Sequence, residues 1–321
     1  MAGQTRALAL RATLLALGIA GVAYLIVESG PARVWATLVD GAWTLPLVML
    51  LDAGYFVCEA FAHRAVLGDG ARSIPTRVFV RATMLVYVVA SLVPLGRAGG
   101  ELARATAFTP HVGAGRATAA GTNVQIAAFL GNTFISTICF AACVLAIGTG
   151  HWLTWLLAVN GLGTLLLGVV AGAVVRRTGL GTWFAARWPT LAARFEGLGE
   201  GLRASPRELG RALGFACLAR IVQIGMYAGL LVAVGLTPTL LATLLALGIH
   251  LVGAGFGDVV PNQVGVLEGV YRLFADALSL GDDPARAVSI ALFARVSQIG
   301  VAASCVSILA LTGGIPTRPR G

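Results

Sequence analysis

Long runs of apolar residues alternate with short polar segments along this chain. A run of about 20 residues covers the ~30 Å of hydrocarbon in a bilayer at 1.5 Å per residue. Only the segment from about 176 to 210 is clearly polar. The pattern therefore predicts an all-α, polytopic membrane protein in which residues 1–321 form a single integral membrane domain. The runs long enough to cross lie near 8–27, 43–61, 118–147, 152–175, 211–234 and 286–311.

Two further apolar runs, 78–95 and 239–257, each lead into a segment that breaks a helix. The first segment reads VPLGRAGGE (93–101) and the second VPNQVGVLE (260–268), so both place a glutamate seven residues after a proline. Proline cannot continue a helix, and glycine permits the backbone angles of a turn. We expect each run to form a hairpin that breaks at its motif. The predicted break residues are Pro94, Gly99, Pro261 and Gly265.

Composition and charge support the membrane assignment. The chain is 57% hydrophobic and 12% charged, whereas a soluble domain is about a quarter charged. All 23 basic residues are arginine, and they crowd into short loops, which is typical of cytoplasmic loops and not of a nucleic-acid surface. We therefore expect no nucleic-acid partner.

The positions of the arginines determine the predicted topology. If every apolar run crossed the bilayer, the arginine-rich segment around 176–211 would lie outside the cell, against the positive-inside rule. The conflict disappears if 78–115 and 240–280 enter and leave on the same side, as oppositely oriented re-entrant hairpins. This gives about six full crossings, cytoplasmic N- and C-termini in a bacterial inner (plasma) membrane, and an interfacial cytoplasmic helix at about 180–205.

Opposed hairpins that carry the same Val-Pro-x6-Glu frame indicate an inverted repeat, with copies at about 43–147 and 211–311. The near-identical stretches ARIVQIG (219–225) and ARVSQIG (294–300) support it. Chance similarity in an apolar chain of low complexity is the alternative.

The charged residues of the hairpins are candidates for binding an anion. A helix that restarts at membrane depth points free N–H groups and a positive dipole end into a cavity, where a phosphate or carboxylate can bind. The spacing of Glu101 to Arg104, and of Glu268 to Arg272, would let each glutamate orient its arginine. Alternatively, each pair merely neutralises its own charge. The predicted substrate-binding residues are Arg97, Gly100, Glu101, Arg104, Glu268, Arg272 and Arg295.

Further charges lie within apolar stretches. Asp52, Glu59 and His63 share one helix face. An arginine at the bilayer centre costs roughly 3 kcal/mol or more unless it is paired or hydrated. We predict a charge network, which either serves substrate movement or is an internal set of salt bridges. Its proposed members are Asp52, Glu59, Arg81, Arg220 and Asp258.

Catalytic and metal-binding motifs are absent from the sequence. It contains no G-x-S-x-G, no H-E-x-x-H and no P-loop, and its five cysteines form no metal-ligand pattern. We therefore predict that the chain is not an enzyme and needs no cofactor or metal.

The runs PLGRAGGELAR, PNQVGVLEG and ALFAR resemble the transmembrane (flippase-like) domain family of lysylphosphatidylglycerol synthases. The resemblance implies handling of anionic or modified lipids. It matches Pro94, Arg97, Gly100, Glu101 and Arg104 to the first family motif, and Pro261, Gly265, Glu268 and Arg295 to the second. Two departures concern the substrate. The usual Pro-Gly-Gly is Pro261-Asn262-Gln263, and the charged residues often found after the first hairpin are replaced by Thr122, Asn123 and Gln125.

These observations favour a lipid transporter or flippase for an anionic or phosphate-bearing lipid, whose headgroup binds between the two hairpins. The alternative is a non-transporting, lipid-binding partner subunit of an envelope lipid or glycan synthesis pathway. A third hypothesis is an ion-coupled transporter of a small soluble anion. Membrane lipids are the expected partners, and a homodimer or a pathway enzyme partner stays open.

Overall fold

The computed structural model describes residues 2–92, 96–177, 187, 201–202, 204–257 and 263–312, and the side chains within 16–91, 99–174, 187, 201–202, 204–255 and 263–312. No strand occurs among these residues, and the all-α prediction is confirmed. Helices satisfy every backbone polar group within one segment, as hydrocarbon requires. The helices are α1 (Ala2–Ser29), α2 (Pro31–Gly41), α3 (Leu45–Leu67), α4 (Thr76–Leu92), α5 (Gly96–Val112), α6 (Ala114–Ile147), α7 (Trp152–Arg177), α8 (Pro206–Ala233), α9 (Leu240–Gly257), α10 (Val266–Leu273) and α11 (Pro284–Leu311).

Within the described residues, five helical segments are long and apolar enough to cross a membrane. They correspond to five of the six predicted crossings, so the chain is a multi-pass membrane protein. The sixth prediction falls on α1, whose described side chains contribute the shorter apolar helix Ala16–Ser29. The total number of crossings therefore stays a prediction. The five segments are Pro31–Ser73, Ala114–Ile147, Trp152–Val174, Pro206–Ala233 and Pro284–Leu311.

Local sequence signals set the helix ends. Proline stands in the first turn of α2, α8 and α11, where its missing N–H costs nothing. Ser205 and Glu208 form a reciprocal capping box at the start of α8. Gly113 separates α5 from α6 with a positive φ of 80°, an angle that glycine adopts without strain.

The central pair of helices, α3 and α8, run antiparallel. Gly54 of α3 lies opposite Val222 of α8, and Val48 lies opposite Gly229. Two helical hairpins, α4–α5 and α9–α10, both pack against α6 and α11. The two hairpins contact these helices in the opposite order. Helix α5 packs on α6 and α4 on α11, while α10 packs on α11 and α9 on α6.

The two hairpins open towards opposite ends of α6. At the base of the first hairpin, a Cβ on Gly70 would lie 3.4 Å from Arg116, near the start of α6. At the base of the second, Phe274 lies 5.9 Å from His151 and 6.4 Å from Trp152, in the turn after α6 ends. Since α6 has 34 residues, these two places are about 50 Å apart along its axis.

Exposed tryptophans mark one end of the bundle. Trp35 and Trp43 lie between α1 and α3, Trp152 and Trp155 follow the α6–α7 turn, and all four are exposed. Tryptophan is enriched where a protein crosses the membrane–water interface. The short helix α2, which carries Trp35, was missed in the sequence analysis. The predicted interfacial helix at 180–205 lies largely outside the described residues.

Candidate functional site

The first hairpin is held together by a close approach of two helices. Helix α4 ends at Leu92 and α5 begins at Gly96, so the helix resumes three residues before the predicted break at Gly99. A Cβ on Gly100 would lie 3.0 Å from the carbonyl oxygen of Val86. Gly100 therefore packs against the backbone of α4. The other predicted break residue, Pro94, lies outside the described residues, as does the side chain of Arg97.

Arg104 links this hairpin to α3. Its Nη1 lies 2.7 Å from Nδ1 of His63 and 3.4 Å from Oε1 of Glu101. Glu101 Oε2 lies 3.9 Å from the same His63 nitrogen. Arg104 and His63 are buried, whereas the Glu101 side chain is 31% exposed. The contact expected between Glu101 and Arg104 is thus present, with His63 as a third member.

Aromatic rings pack against one side of this three-residue group. The ring of Phe108, which is fully buried, lies 5.9 Å from His63 and stacks on Phe79 at 5.6 Å. The buried His63 and Arg104 therefore lie between these aromatic rings and the more exposed Glu101. Such shielding strengthens the electrostatic interactions within the group.

The second hairpin places a fully buried carboxylate at the start of α10. Gly265 is the N-cap with a φ of 83°, so the predicted break at Gly265 coincides with the helix start. Glu268 Oε2 accepts the N–H of Gly265 at 2.9 Å. Glu268 Oε1 accepts from Nε of Arg295 at 2.9 Å, and Nη2 of Arg295 lies 2.9 Å from the same oxygen. These charge-assisted bonds join α10 to α11.

The predicted contact of Glu268 with Arg272 is wrong. Glu268 folds back to cap its own helix, and its other oxygen faces Arg295 of α11. Arg272, one turn further along, points to α1 and pairs with Glu28 at 3.7 Å. The Nε of Arg272 has no hydrogen-bond partner among the described residues. Spacing along one helix could not show that a second helix supplies the nearer partner.

Helix α1 crosses directly over the second motif. A Cβ on Gly18 would lie 2.5 Å from the carbonyl oxygen of Val264, and one on Gly265 would lie 2.8 Å from the carbonyl oxygen of Gly18. Together with the Glu28–Arg272 pair, this contact fixes α1 against α10. Glu28 was not among the site residues predicted from the sequence, although an acidic residue at the end of an apolar run was the available signal.

Members of the predicted charge network bond to different partners in different parts of the bundle. Asp52 accepts a hydrogen bond from Tyr87 at 2.5 Å, and Arg81 donates to the carbonyl oxygen of Thr312 at the end of α11. Arg81 thus caps a helix carboxyl end. Asp258 lies outside the described residues.

Glu59 and Arg220 meet through an aromatic ring. Tyr55 donates to Glu59 at 3.0 Å, and the guanidinium of Arg220 lies 5.4 Å from the centre of the Tyr55 ring. Arg220 also donates to Gln223 at 2.8 Å. Tyr55, Glu59 and Arg220 line a small, partly open cleft between α3, α6 and α8.

Val86, which Gly100 of the first motif contacts, and Arg295, the partner of Glu268, both lie away from the ends of their helices. Gly100 faces Val86, about ten residues or ~15 Å into α4. Arg295 stands about eleven residues or ~16 Å into α11. Each distance is close to half of a ~30 Å hydrocarbon core.

The fold and these groups define a class of protein: a multi-pass helical membrane protein with two packed hairpins, each carrying a glutamate paired with an arginine, which lies in the same hairpin for Glu101 and in α11 for Glu268. A comparison with family models identifies the family. Residues 12–304 match the lysylphosphatidylglycerol synthase TM region, and the chain belongs to that family. No curated protein and no solved structure matched the chain significantly.

Proposed function

We propose that the protein moves an anionic or phosphate-bearing lipid across the membrane, with the headgroup bound between two re-entrant hairpins. One observation carries the proposal: the glutamate of each hairpin lies next to an arginine inside the bundle, Glu101 next to Arg104 and Glu268 next to Arg295 of α11. Ionised groups within a membrane are costly unless they are paired or hydrated. Two such pairs favour a polar path through the protein.

The packing of the helices supports an inverted repeat. Exchanging the first hairpin for the second, and α6 for α11, reproduces the contacts of the two hairpins with α6 and α11. The hairpin bases at opposite ends of α6 and the exposed tryptophans at one end fit the same arrangement. In this proposal both termini are cytoplasmic, the membrane is the bacterial inner membrane, and the tryptophans stand at its outer face.

Arg272 has the features expected of a ligand for the headgroup. Its side chain is 36% exposed, its contact with Glu28 is loose at 3.7 Å, and its Nε–H is left without a partner in the described part of the chain. A guanidinium binds phosphate through two parallel hydrogen bonds. A phosphate oxygen could therefore replace Glu28 without leaving an arginine unpaired.

Movement of the lipid would follow the alternating-access scheme of repeat transporters. The acyl tails stay in hydrocarbon while the headgroup passes the charged groups, and one repeat rocks against the other. The sequence has no P-loop, so the driving force in this scheme is an ion gradient or removal of the lipid after transfer.

Reconstitution tests the proposal. Purified protein in liposomes is expected to speed the transfer of fluorescent phosphatidylglycerol between leaflets, and to move phosphatidylcholine more slowly. Arg272→Gln and Glu101→Gln are expected to reduce the transfer rate. The control Arg72→Gln alters an exposed pair with Asp69 and is expected to leave the transfer rate unchanged. Phosphatidylglycerol transfer no faster than in protein-free liposomes would refute the proposal.

A partner subunit that binds lipid without moving it is the second candidate. The observation in its favour is that Glu268 and Arg295 satisfy one another within the chain. This candidate predicts that the purified protein retains anionic lipid but does not transfer it. It also predicts that the same substitutions alter only lipid retention or complex formation with a pathway enzyme.

A further inference from the structure

The contact between Arg104 and His63 defines the protonation state of the histidine. A guanidinium has only hydrogen-bond donors, so Nδ1 of His63, 2.7 Å from Arg104 Nη1, must accept. The imidazole is therefore neutral, with its proton on Nε2. That Nε2 has no hydrogen-bond partner among the described residues, although the residue is only 1% exposed.

Protonation of His63 is incompatible with the hydrogen bond from Arg104 to Nδ1. A proton on Nδ1 occupies the lone pair that receives the Arg104 N–H, so this bond breaks and the Arg104 N–H that pointed at His63 becomes available to another acceptor. The new Nδ1–H faces Glu101, whose Oε2 is already 3.9 Å away. Glu101, at 31% exposure, is the member of the group through which a proton from water would arrive.

Charge balance connects this switch to an anion. Neutral His63, Arg104⁺ and Glu101⁻ sum to zero, and an added proton leaves one positive charge among buried groups. A phosphate on the released Arg104 restores neutrality, which a medium of low dielectric constant strongly favours. Proton and phosphate therefore stabilise each other's binding.

We infer that His63 is a proton-binding site that couples the protein to the proton gradient, by releasing Arg104 to an anionic headgroup when it takes up a proton. This inference rests on the proposed lipid transport. It makes the protein a symporter of one proton with one anionic headgroup, in which Glu101 passes the proton from the exposed side of the group to Nδ1.

The other charged and titratable groups around α3 have separate partners. Asp52 is bonded to Tyr87, Glu59 to Tyr55, and Arg220 to Gln223. Arg64 lies over the Phe79 ring, Asp69 pairs with Arg72, Arg81 donates to the carbonyl oxygen of Thr312, and Glu208 accepts from the Ser205 N–H. Arg116 and Cys305 lie on the neighbouring helices α6 and α11. Only Arg104 and Glu101 are in polar contact with the His63 ring nitrogens among the contacts described.

A pH gradient across proteoliposomes tests the coupling. With the membrane potential clamped, fluorescent phosphatidylglycerol should move faster towards the more alkaline side, by up to about tenfold per pH unit for one linked proton. His63→Asn keeps an acceptor near the position of Nδ1 but cannot take up a proton, and His63→Gln is a second variant should the first fail to fold. Both should lose the dependence on the gradient.

His250→Gln is the matched control. His250 lies in α9 with its ring 5.2 Å from that of Tyr227, outside the proposed path, and this variant should keep the wild-type dependence. Equal wild-type rates in both directions of the gradient, or a gradient dependence that survives in both His63 variants, would overturn the inference.

Proton uptake on binding gives an independent readout. Dihexanoyl phosphatidylglycerol, added to the full chain in weakly buffered detergent solution with a pH dye, should cause uptake of about one proton per lipid bound. Binding and transfer without proton uptake would overturn the inference but leave the proposed function intact. Absence of both binding and transfer would overturn the two together.

Discussion

The ion pair of Glu268 with Arg295 offers the sharpest test of the structure. Glu268 is fully buried and accepts hydrogen bonds from Arg295 Nε and from the Gly265 N–H, both 2.9 Å long, and Arg295 Nη2 lies 2.9 Å from its Oε1. The change Glu268→Gln preserves the size of the side chain and an acceptor for Gly265. It removes the negative charge opposite Arg295, whose side chain is only 15% exposed.

Removing one member of a buried ion pair costs about 3–5 kcal/mol, because the remaining charge loses the opposite charge that offset its desolvation. For a chain of this size, we expect the unfolding midpoint of Glu268→Gln in detergent micelles to fall by roughly 10 °C. The assay is thermal or denaturant unfolding followed by circular dichroism. The double variant with Arg295→Met should lose less than the two single variants added together, since it buries no unpaired charge.

Arg72→Ala is the matched control. It breaks a pair with Asp69 of similar length, 3.3 Å, in which both side chains are exposed, and exposed pairs contribute about 1 kcal/mol or less. If Glu268→Gln destabilises the protein no more than Arg72→Ala does, the buried ion pair is not as the structure has it. Strict additivity in the double variant would lead to the same conclusion.

Three further predictions follow from close contacts and exposed groups. Gly100→Ala should lower the free energy of unfolding by about 1–3 kcal/mol, since the new methyl group meets a backbone oxygen of α4. The control Gly214→Ala has open space around it and should be neutral or stabilising by up to about 1 kcal/mol. Gly18→Ala should destabilise to a similar degree and loosen α1 from α10, measured by faster hydrogen exchange in both helices. Arg272→Gln should change unfolding by less than about 1 kcal/mol, because its pair with Glu28 is half exposed, yet it should slow phosphatidylglycerol transfer.

The pattern of apolar residues was enough to predict the class of fold. An apolar run that spans hydrocarbon must satisfy its backbone N–H and C=O groups within the segment, which a helix does. Five of the six predicted crossings are present as helices. The short helix α2 escaped because it has only 11 residues between Gly30 and Gly41, too few to stand out from a loop. Helix boundaries at Gly265 followed from the known angular freedom of glycine.

Contacts within one helix turn were predictable, and contacts between distant helices were not. Glu101 and Arg104 meet as their spacing implies. For Glu268, the same kind of argument selected Arg272, but Arg295 lies closer because α11 packs along α10. Asp52 was predicted to belong to a charge network, but its hydrogen-bond donor Tyr87 was not, since hydropathy carries no information about which helix lies opposite.

The central claim is that each hairpin enters and leaves the membrane on one side, and that the two enter from opposite sides. Single cysteines at the hairpin bases, in a chain otherwise free of cysteine, test this with an impermeant maleimide on sealed vesicles of known orientation. Positions 72 and 116 flank the first hairpin and positions 237 and 282 flank the second, and all four are exposed. We predict that 72 and 116 react only from the cytoplasmic side, and 237 and 282 only from the opposite side. Labelling of the two ends of either hairpin from different sides would contradict the account.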